Sequence, residues 1–380
     1  MYNVAAYASM IAFEERTSAY ARALEANIVP GAVVLDIGCG SGILSFLACR
    51  AGAAKVYAVE PSDIVELARE MAADNGYLNR IEFIQALSTE MDLPQRVDGI
   101  VTDIRGVLPL YGKSIISILD ARDRFLKPDG WIIPSRETIW VSLSCCPALH
   151  SSLTDTWETE YRFDFTKARL QSTNAFRAVR LKVDDMLVPP QPWAMLDYKQ
   201  LQHRNVNGEM FWRIDRSVIA HGMCVWYDCE TAEGASFCNS PAALGEYVFR
   251  HAFFPWPEAL ELKAGDQIRI GLRADFVNPD YVWSWNTQVI NDSGQEKARY
   301  RQSTFNDAPL SRERLRKRAH SFVPVPNEDS QVDRRVLELM DRKLTLEEIA
   351  KALVAEFPAR FKDWNKALTR AGDLSEKYSR

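Results

Sequence analysis

The sequence predicts an α/β protein in which a doubly wound parallel sheet is followed by an antiparallel β-barrel domain and a small C-terminal helical module. Three observations predict this order. An apolar strand runs into a glycine-rich turn at residues 33–42. Strands and helices alternate from there to Pro134, as they do in parallel sheets. From Ser135 onward, short segments rich in valine and aromatic residues are separated by turn residues, as in antiparallel barrels.

The pattern divides the chain into lid helices at 1–30, the sheet domain at 31–134, the barrel domain at 135–322 and a winged-helix-like helical module at 323–380. Helical spacing of apolar residues predicts one helix over 8–27. Thr345 and Glu348 form a capping box that predicts a helix start in the module. This module is either a packing element for the barrel or a peptide-recognition module.

Short apolar runs predict the individual strands. In the sheet domain they lie at 33–37, 56–60, 81–86, 99–103 and 131–133, with helices at 64–75 and 113–125. In the barrel domain we expect strands at 138–143, 178–182, 216–218, 222–229, 247–254, 267–274 and 281–289. The basic stretch at 311–320 indicates a solvated tether more than a nucleic-acid contact.

Composition limits the class of protein. The 380 residues are 47% hydrophobic and 26% charged, with a net charge of −5, which is typical of a soluble globular chain. The slight acidity gives no reason to expect nucleic acid as a partner. No membrane span and no signal pattern is visible, so we expect a cytoplasmic protein without a membrane partner. Seven irregularly spaced cysteines without a C-x-x-C pair predict neither a disulfide framework nor a metal site.

The glycine-rich turn predicts a nucleoside cofactor site. Gly38, Gly40 and Gly42 let the backbone approach a ligand closely, and Asp36 stands just ahead of them. Glu60 ends the next strand about twenty residues later, where an acid binds both hydroxyls of a ribose. A purely structural turn would also use glycines, but it would not require an acid such as Glu60 at the end of the next strand.

The G-x-G-x-G spacing resembles the first motif of class I S-adenosylmethionine methyltransferases, which have a Rossmann-like sheet. With the helix carrying Met10, Ile11, Arg16, Thr17 and Tyr20, and with Leu126-Lys127-Pro128-Asp129-Gly130, the chain is similar to the protein arginine methyltransferase family over roughly residues 7–300. The resemblance implies S-adenosyl-L-methionine as cofactor and S-adenosyl-L-homocysteine as product. It implies that the cofactor-binding residues are Arg16 on the carboxylate, Asp36, Gly38 and Gly40 at the loop, Glu60 on the ribose, and Thr89 with Glu90 near the adenine.

The acceptor side departs from that family, whose loop after the fourth strand carries two glutamates that hold a guanidinium. In Thr102–Gly112, Asp103 takes the first acidic position and Gly112 the second, so one carboxylate is missing. Arg105 would repel an arginine substrate if it faced the pocket. If Arg105 faces the pocket, we expect it to recognise an anionic group of the acceptor. Otherwise it pairs with Asp103 or points to solvent. Asp103 and Arg105 are the first two catalytic candidates.

His251 is the third catalytic candidate, as a general base, although a hydrogen-bonded structural histidine fits the aromatic segment equally well. In that family a Thr-His-Trp loop stands where this chain reads Tyr247–Phe254. Trp256, Trp283 and Trp285 either line the acceptor cleft or fill the barrel core. Residues 161–165 are similar to the arm through which the family forms dimers, which implies a homodimer.

The preferred interpretation is a methyltransferase that acts on a peptide or small-molecule acceptor other than standard protein arginine. The first alternative is an arginine N-methyltransferase with an altered acidic clamp. The second alternative is a non-catalytic protein that binds a nucleoside in the sheet domain and a peptide through the helical module.

Overall fold

The computed structural model describes residues 4–157, 163–243 and 249–379. The chain divides into two compact units, Met1–Ala308 and Pro309–Arg380. Each unit has its own cluster of buried apolar residues. The division falls earlier than the boundary expected at residue 322, because the segment after the barrel is already exposed and polar.

Two helices precede the sheet: α1 (Val4–Ala12) and α2 (Glu14–Asn27). The single helix expected over residues 8–27 is therefore broken, since Phe13 has φ −71° and ψ 89° and lies outside the helical region. Phe13 is buried and its ring meets the edge of the Phe237 ring, with 6.2 Å between the centroids. Packing of this ring accompanies the break, which the apolar spacing alone did not show.

The first sheet has the doubly wound parallel topology that the sequence predicts. In the described residues its strand order is β3-β2-β1-β4-β5, with all neighbours parallel. Its elements are β1 (Val33–Ile37), α3 (Ile43–Arg50), β2 (Lys55–Val59), α4 (Ile64–Asp74), β3 (Ile81–Ile84), β4 (Val97–Thr102), α5 (Ser114–Phe125) and β5 (Leu126–Ile133). Ligands of such sheets bind beyond the carboxyl ends of the strands, which here means the ends of β1, β2 and β4.

The following domain is antiparallel, as expected. Its elements are β6 (Arg136–Ser144), α6 (Pro147–Thr154), α7 (Thr166–Ser172), β7 (Arg177–Val179), β8 (Gln191–Asp197), β9 (Val206–Arg213), β10 (Val218–Ala232), β11 (Ala235–Cys238), β12 (His251–Leu262), β13 (Gln267–Val277), β14 (Asp280–Ile290) and β15 (Glu296–Ser303). In the described part, one sheet runs β7-β12-β10-β6-β8 with β11 beside β10, and the other runs β15-β14-β13-β9.

Several strands differ from the sequence predictions. The runs expected at 216–218 and 222–229 form one long strand, β10, that bends at Gly222, where the register with β12 shifts. The strands β8, β9, β11 and β15 were not predicted. Most side chains of β15 are charged or polar and half of them are exposed, so this edge strand lacks the apolar alternation that marks a half-buried strand. Residues 247 and 248 of the strand expected at 247–254 lie outside the described residues.

The second unit is helical, with α8 (Arg312–Lys317), α9 (Glu328–Asp341), α10 (Leu346–Glu356) and α11 (Trp364–Tyr378). The capping box is confirmed: the Thr345 hydroxyl accepts from the Glu348 backbone N–H, and the Glu348 carboxylate accepts from the Thr345 backbone N–H at 2.8 Å. Val336, Ile349, Leu353 and Ala371 are among the residues that form its core. The expected basic tether contains the short helix α8, whose side chains are exposed.

Candidate active site

A cavity of about 330 Å³ lies at the carboxyl ends of β1, β2 and β4. Its walls come from α1 and α2, from the glycine loop, from the end of β2, and from the loop between β4 and α5. The lining residues are Tyr7, Met10, Ile11, Arg16, Gly38, Cys39, Gly40, Ser41, Ile43, Leu44, Glu60, Asp103, Ile104, Arg105, Tyr111, Gly112, Lys113, Ser114 and Ser117. Six of the predicted site residues are therefore brought together by the fold: Arg16, Gly38, Gly40, Glu60, Asp103 and Arg105.

The glycine loop needs its glycines. Gly38 and Gly40 have φ +70° and +52°, a region that residues with a Cβ rarely adopt. A Cβ on Gly40 would stand 2.5 Å from the Tyr7 ring of α1. The loop is thus a bare backbone surface with a lid helix against it, which is the surface that a nucleoside cofactor uses.

Glu60 is bound to this loop. Its carboxylate accepts a hydrogen bond from the Gly40 backbone N–H at 3.2 Å. It also accepts from the backbone N–H and the hydroxyl of Ser62, at 3.0 and 2.6 Å. The carboxylate is therefore held at the end of β2, in the cavity wall, where an acid binds ribose hydroxyls. The residues present fit the nucleoside part of S-adenosylmethionine.

Asp36 does not line the cavity, although the sequence placed it among the cofactor-binding residues. It is fully buried in β1, and its carboxylate accepts a hydrogen bond from the Ser45 hydroxyl at 2.6 Å. Burial raises the pKa of the Asp36 carboxyl to about 7. Asp36 therefore supports the glycine loop from beneath by joining β1 to α3.

Thr89 and Glu90 also lie outside the cavity lining. They belong to a short 3₁₀ turn, Ser88–Glu90, that follows β3, and Glu90 is exposed. Their expected role near the adenine remains a prediction.

Arg16 and Asp103 form an ion pair in the cavity wall. Both nitrogens of one guanidinium edge, Nε and Nη2, contact Asp103 Oδ2. The two side chains are only 4% and 6% exposed. In this structure Arg16, which the resemblance assigns to the cofactor carboxylate, thus already holds the first acid of the acceptor loop.

Arg105 resolves the alternatives left by the sequence. Its Nε lies 3.3 Å from Asp103 Oδ1, and its Nη2 lies 3.1 Å from Glu137 Oε1. Nη2 also donates to the Tyr20 hydroxyl oxygen at 2.9 Å. The guanidinium is paired within the protein, so the geometry supports the ion-pair alternative rather than recognition of an anionic acceptor or exposure to solvent.

Glu137 is a site residue that sequence reasoning missed. It lies on β6, the first strand of the barrel domain, and is 1% exposed. Its Oε2 accepts a hydrogen bond from the Tyr198 hydroxyl. A signal was present in the sequence, because Glu137 shares the strand phase of the buried Ile139, Val141 and Leu143. An acid in phase with core residues requires a buried partner.

His251 is not brought to the cavity. It begins β12, where it pairs with Val179 of β7, and its Nδ1 accepts a hydrogen bond from the Leu181 backbone N–H at 2.9 Å. Burial lowers the pKa of this imidazole. This geometry fits the structural alternative, since His251 lies outside the cavity lining; the role of general base remains a prediction. The tryptophans Trp256, Trp283 and Trp285 are buried in the barrel core.

The acceptor end of the cavity carries little negative charge. Gly112, at the second acidic position, has φ +50° and its backbone N–H donates to Asp280 Oδ1 at 2.6 Å. Asp280 is itself exposed and does not line the cavity. The neighbouring Lys113 does line it. The lining residues therefore include three cationic side chains (Arg16, Arg105 and Lys113) against two carboxylates, Asp103 and Glu60.

Other expectations fall partly outside the described chain. Residues 161 and 162 of the expected dimerisation segment are not described, while Phe163 is 71% exposed. The homodimer remains a prediction. Across the described ranges, no group of three or more His, Cys, Asp or Glu side chains is arranged to hold a metal ion. No helix in those ranges has both the length and the apolar character needed to cross a membrane.

Comparisons with known proteins support the interpretation of this cavity as a cofactor site. A family model described as ribosomal protein L11 methyltransferase (PrmA) matches residues 15–136, which include the glycine loop, Glu60 and Asp103. Fold and site together define a class I S-adenosylmethionine-dependent methyltransferase. The chain is 32% identical over 257 residues to protein arginine N-methyltransferase 6 of Xenopus tropicalis, covering 64% of this chain and 75% of that protein. It belongs to the protein arginine N-methyltransferase family.

Two further similarities agree with this assignment. The probable protein arginine N-methyltransferase 6 of Arabidopsis thaliana is 30% identical over 63% of this chain, which spans 57% of that protein's length. Among solved structures, the Trypanosoma brucei PRMT1 enzyme-prozyme heterotetrameric complex with AdoHcy superimposes with a TM-score of 0.72. It has 22% sequence identity and covers 78% of this chain and 96% of its own. The structural match supports the fold.

Proposed function

We propose that this chain transfers the methyl group of S-adenosylmethionine to an acceptor that carries no positive charge at its reacting end, and not to a standard protein arginine. The cofactor supplies an activated methyl group on a sulfonium. Gly38, Gly40 and Glu60 would hold its nucleoside part. The protein's task on the acceptor side is to place a lone pair about 3 Å from that methyl group and in line with the departing sulfur.

The observation that carries the proposal is the state of Asp103. Its Oδ2 is engaged by Arg16, and its Oδ1 lies 3.3 Å both from Arg105 Nε and from the Tyr20 hydroxyl. A carboxylate that already receives two guanidinium groups has little remaining capacity for a third. An arginine substrate would have to displace one of these buried cations, which would leave that cation without its partner.

The charge of the cavity supports the same conclusion. In this proposal Glu60 holds the ribose hydroxyls, so it would not be available to the acceptor. Lys113 adds a positive charge near Gly112, where a carboxylate would be needed to bind the second edge of a guanidinium. Ser117 offers a hydroxyl that suits an uncharged or acidic acceptor, whereas the Ser114 hydroxyl donates to the Pro109 carbonyl oxygen at 2.9 Å.

Methylation of a standard protein arginine is the second candidate, and the relatives favour it because those named above are called arginine N-methyltransferases. Methyl-labelled cofactor separates the two candidates. The purified chain is incubated with an arginine-rich peptide, and in parallel with protein and small-molecule fractions of a cell extract. We expect labelled acceptors in the extract fractions and no methylarginine in hydrolysates of the peptide. Methylarginine formed at a rate comparable to that of the best extract acceptor would overturn the proposal.

Calorimetry with S-adenosylhomocysteine accompanies this assay, so that a failure of cofactor binding is not mistaken for acceptor selectivity. Tight binding of the product without transfer to any fraction would instead support the non-catalytic alternative. No binding of cofactor or product would contradict both enzymatic candidates.

A further inference from the structure

A carboxylate of the barrel domain reaches the back of the acceptor loop. Glu137 lies near the start of β6, directly opposite Cys229 of β10 in the sheet register. Its Oε1 lies 3.1 Å from Arg105 Nη2, and Arg105 in turn contacts Asp103. A row of alternating charges therefore runs from the barrel to the cavity wall: Glu137, Arg105, Asp103 and Arg16.

Arg105 depends on Glu137. The Arg105 side chain is 4% exposed and lies against the faces of the Tyr227 and Phe237 rings, with its Cζ 5.3 and 5.2 Å from the ring centroids. A guanidinium buried to this degree is strongly destabilising unless a counter-ion accompanies it. Asp103 cannot serve as that counter-ion alone, because it also pairs with Arg16. Glu137 is the second anion that balances the two cations.

Glu137 equally depends on Arg105. Burial raises the pKa of the Glu137 carboxyl, and the Arg105 guanidinium opposes that rise. The Tyr198 hydroxyl donates to the other carboxylate oxygen. The two residues therefore form one unit, and removing either alone leaves a buried group without its counter-charge.

We propose that Glu137 is a specificity-determining residue: by holding Arg105 against Asp103, it cancels the negative charge that a cationic acceptor would need, and so excludes guanidinium groups from the acceptor site. Glu137 acts through Arg105 and is a positioning residue. This inference rests on the proposed function, since it explains which side chains make the acceptor site unsuitable for arginine.

The test converts the pair into uncharged residues of similar size, Arg105→Met together with Glu137→Gln. Replacement of both members of a buried pair is tolerated far better than replacement of one. Two labelled peptides that differ only in arginine against citrulline serve as probes, because citrulline has nearly the shape of arginine without its charge. Their affinities are measured by fluorescence anisotropy in the presence of S-adenosylhomocysteine, together with the melting temperature and the product affinity of each protein.

For the native chain we expect the citrulline peptide to bind at least as tightly as the arginine peptide, because the acceptor site excludes the guanidinium group. The double variant leaves one side of Asp103 free, and we expect it to prefer the arginine peptide by about ten-fold. Both peptides can donate a hydrogen bond to the free carboxylate oxygen, but only arginine adds an ion pair to it. A matched control is available in the next residue pair of the same two strands: Arg136 of β6 and Glu230 of β10 form a half-exposed ion pair, and Arg136→Met with Glu230→Gln should leave the peptide ratio unchanged.

An unchanged arginine-to-citrulline ratio in a folded, product-binding double variant would overturn the inference. A native preference for arginine as large as that of the double variant would do the same. If the double variant does not fold, Arg105→Met alone is measured with the same two peptides, and the arginine-to-citrulline affinity ratio again tests the inference. Methylation of arginine by the native chain would contradict the proposed function. The present inference is tested separately, by the change in the arginine-to-citrulline affinity ratio between the native chain and the double variant.

Discussion

Replacing Asp36 with asparagine tests how the glycine loop is supported. Asp36 lies on β1 with no exposure, and one of its oxygens has no hydrogen-bond partner among the described residues. The other accepts from Ser45 of α3 at 2.6 Å. Burial raises the pKa of this carboxyl from its ordinary value of 3.8 to about 7. The folded protein therefore binds a proton at Asp36 in a pH range where the unfolded chain has lost it.

The sign and size of the effect follow from this difference. Because the folded-state pKa is the higher one, protonation stabilises the folded state, and stability falls as the pH rises from about 4 to about 7. Within that range the contribution of Asp36 to the free energy of unfolding decreases by about 1.4 kcal/mol per pH unit. Above about pH 7 both states are ionised there, and the contribution becomes constant.

The assay is urea unfolding of the native chain and of Asp36→Asn between pH 5 and pH 8, followed by tryptophan fluorescence. Asparagine can still accept from Ser45 but does not titrate. We expect the difference in unfolding free energy between variant and native chain to shift in favour of the variant by at least about 1 kcal/mol over that interval. Asp74→Asn, at an exposed residue of α4, is the control without such a shift. A difference that stays constant with pH for Asp36→Asn would refute the reasoning.

Three further predictions concern the site and its surroundings. Glu60→Gln removes the charge that Gly40 and Ser62 hold in the cavity wall, and calorimetry should show at least about ten-fold weaker binding of S-adenosylmethionine with little change in melting temperature. His251→Asn weakens the hydrogen bond with Leu181 and should lower the free energy of unfolding by about 1–3 kcal/mol, while the pH profile of methyl transfer keeps its shape; loss of one limb would instead indicate a catalytic base. Deletion of residues 309–380, a unit with its own core, should leave cofactor affinity within about two-fold of the native value, and a larger loss would show that this unit supports the cofactor site.

The cofactor half of the site could be predicted from the sequence because its signals are local. The turn glycines and Glu60 keep a fixed spacing along one strand-turn-helix-strand unit, and strand ends of a parallel sheet meet at one edge. The parallel order and the antiparallel second domain followed from strand and helix alternation for the same reason.

The acceptor half could not be predicted in this way. The contact between Arg105 and Glu137 depends on where the first barrel strand passes behind the loop that follows β4, and no sequence period records that crossing. The pairing of Arg16 with Asp103 could not be predicted either, because the sequence analysis assigns Arg16 to the cofactor carboxylate and Asp103 to the acceptor. His251 was assigned to the site by its chemistry, whereas the fold places it beside β7.

The most direct test of the central claim is a crystal structure of the native chain with S-adenosylhomocysteine. The observation that tests the claim is which groups contact the two carboxylate oxygens of Asp103. We predict that Arg105 still contacts one carboxylate oxygen and that Arg105 remains paired with Glu137, so that no free carboxylate faces the acceptor end of the cavity. A structure in which Asp103 has left Arg105 and turned both oxygens toward the bound product would contradict the account.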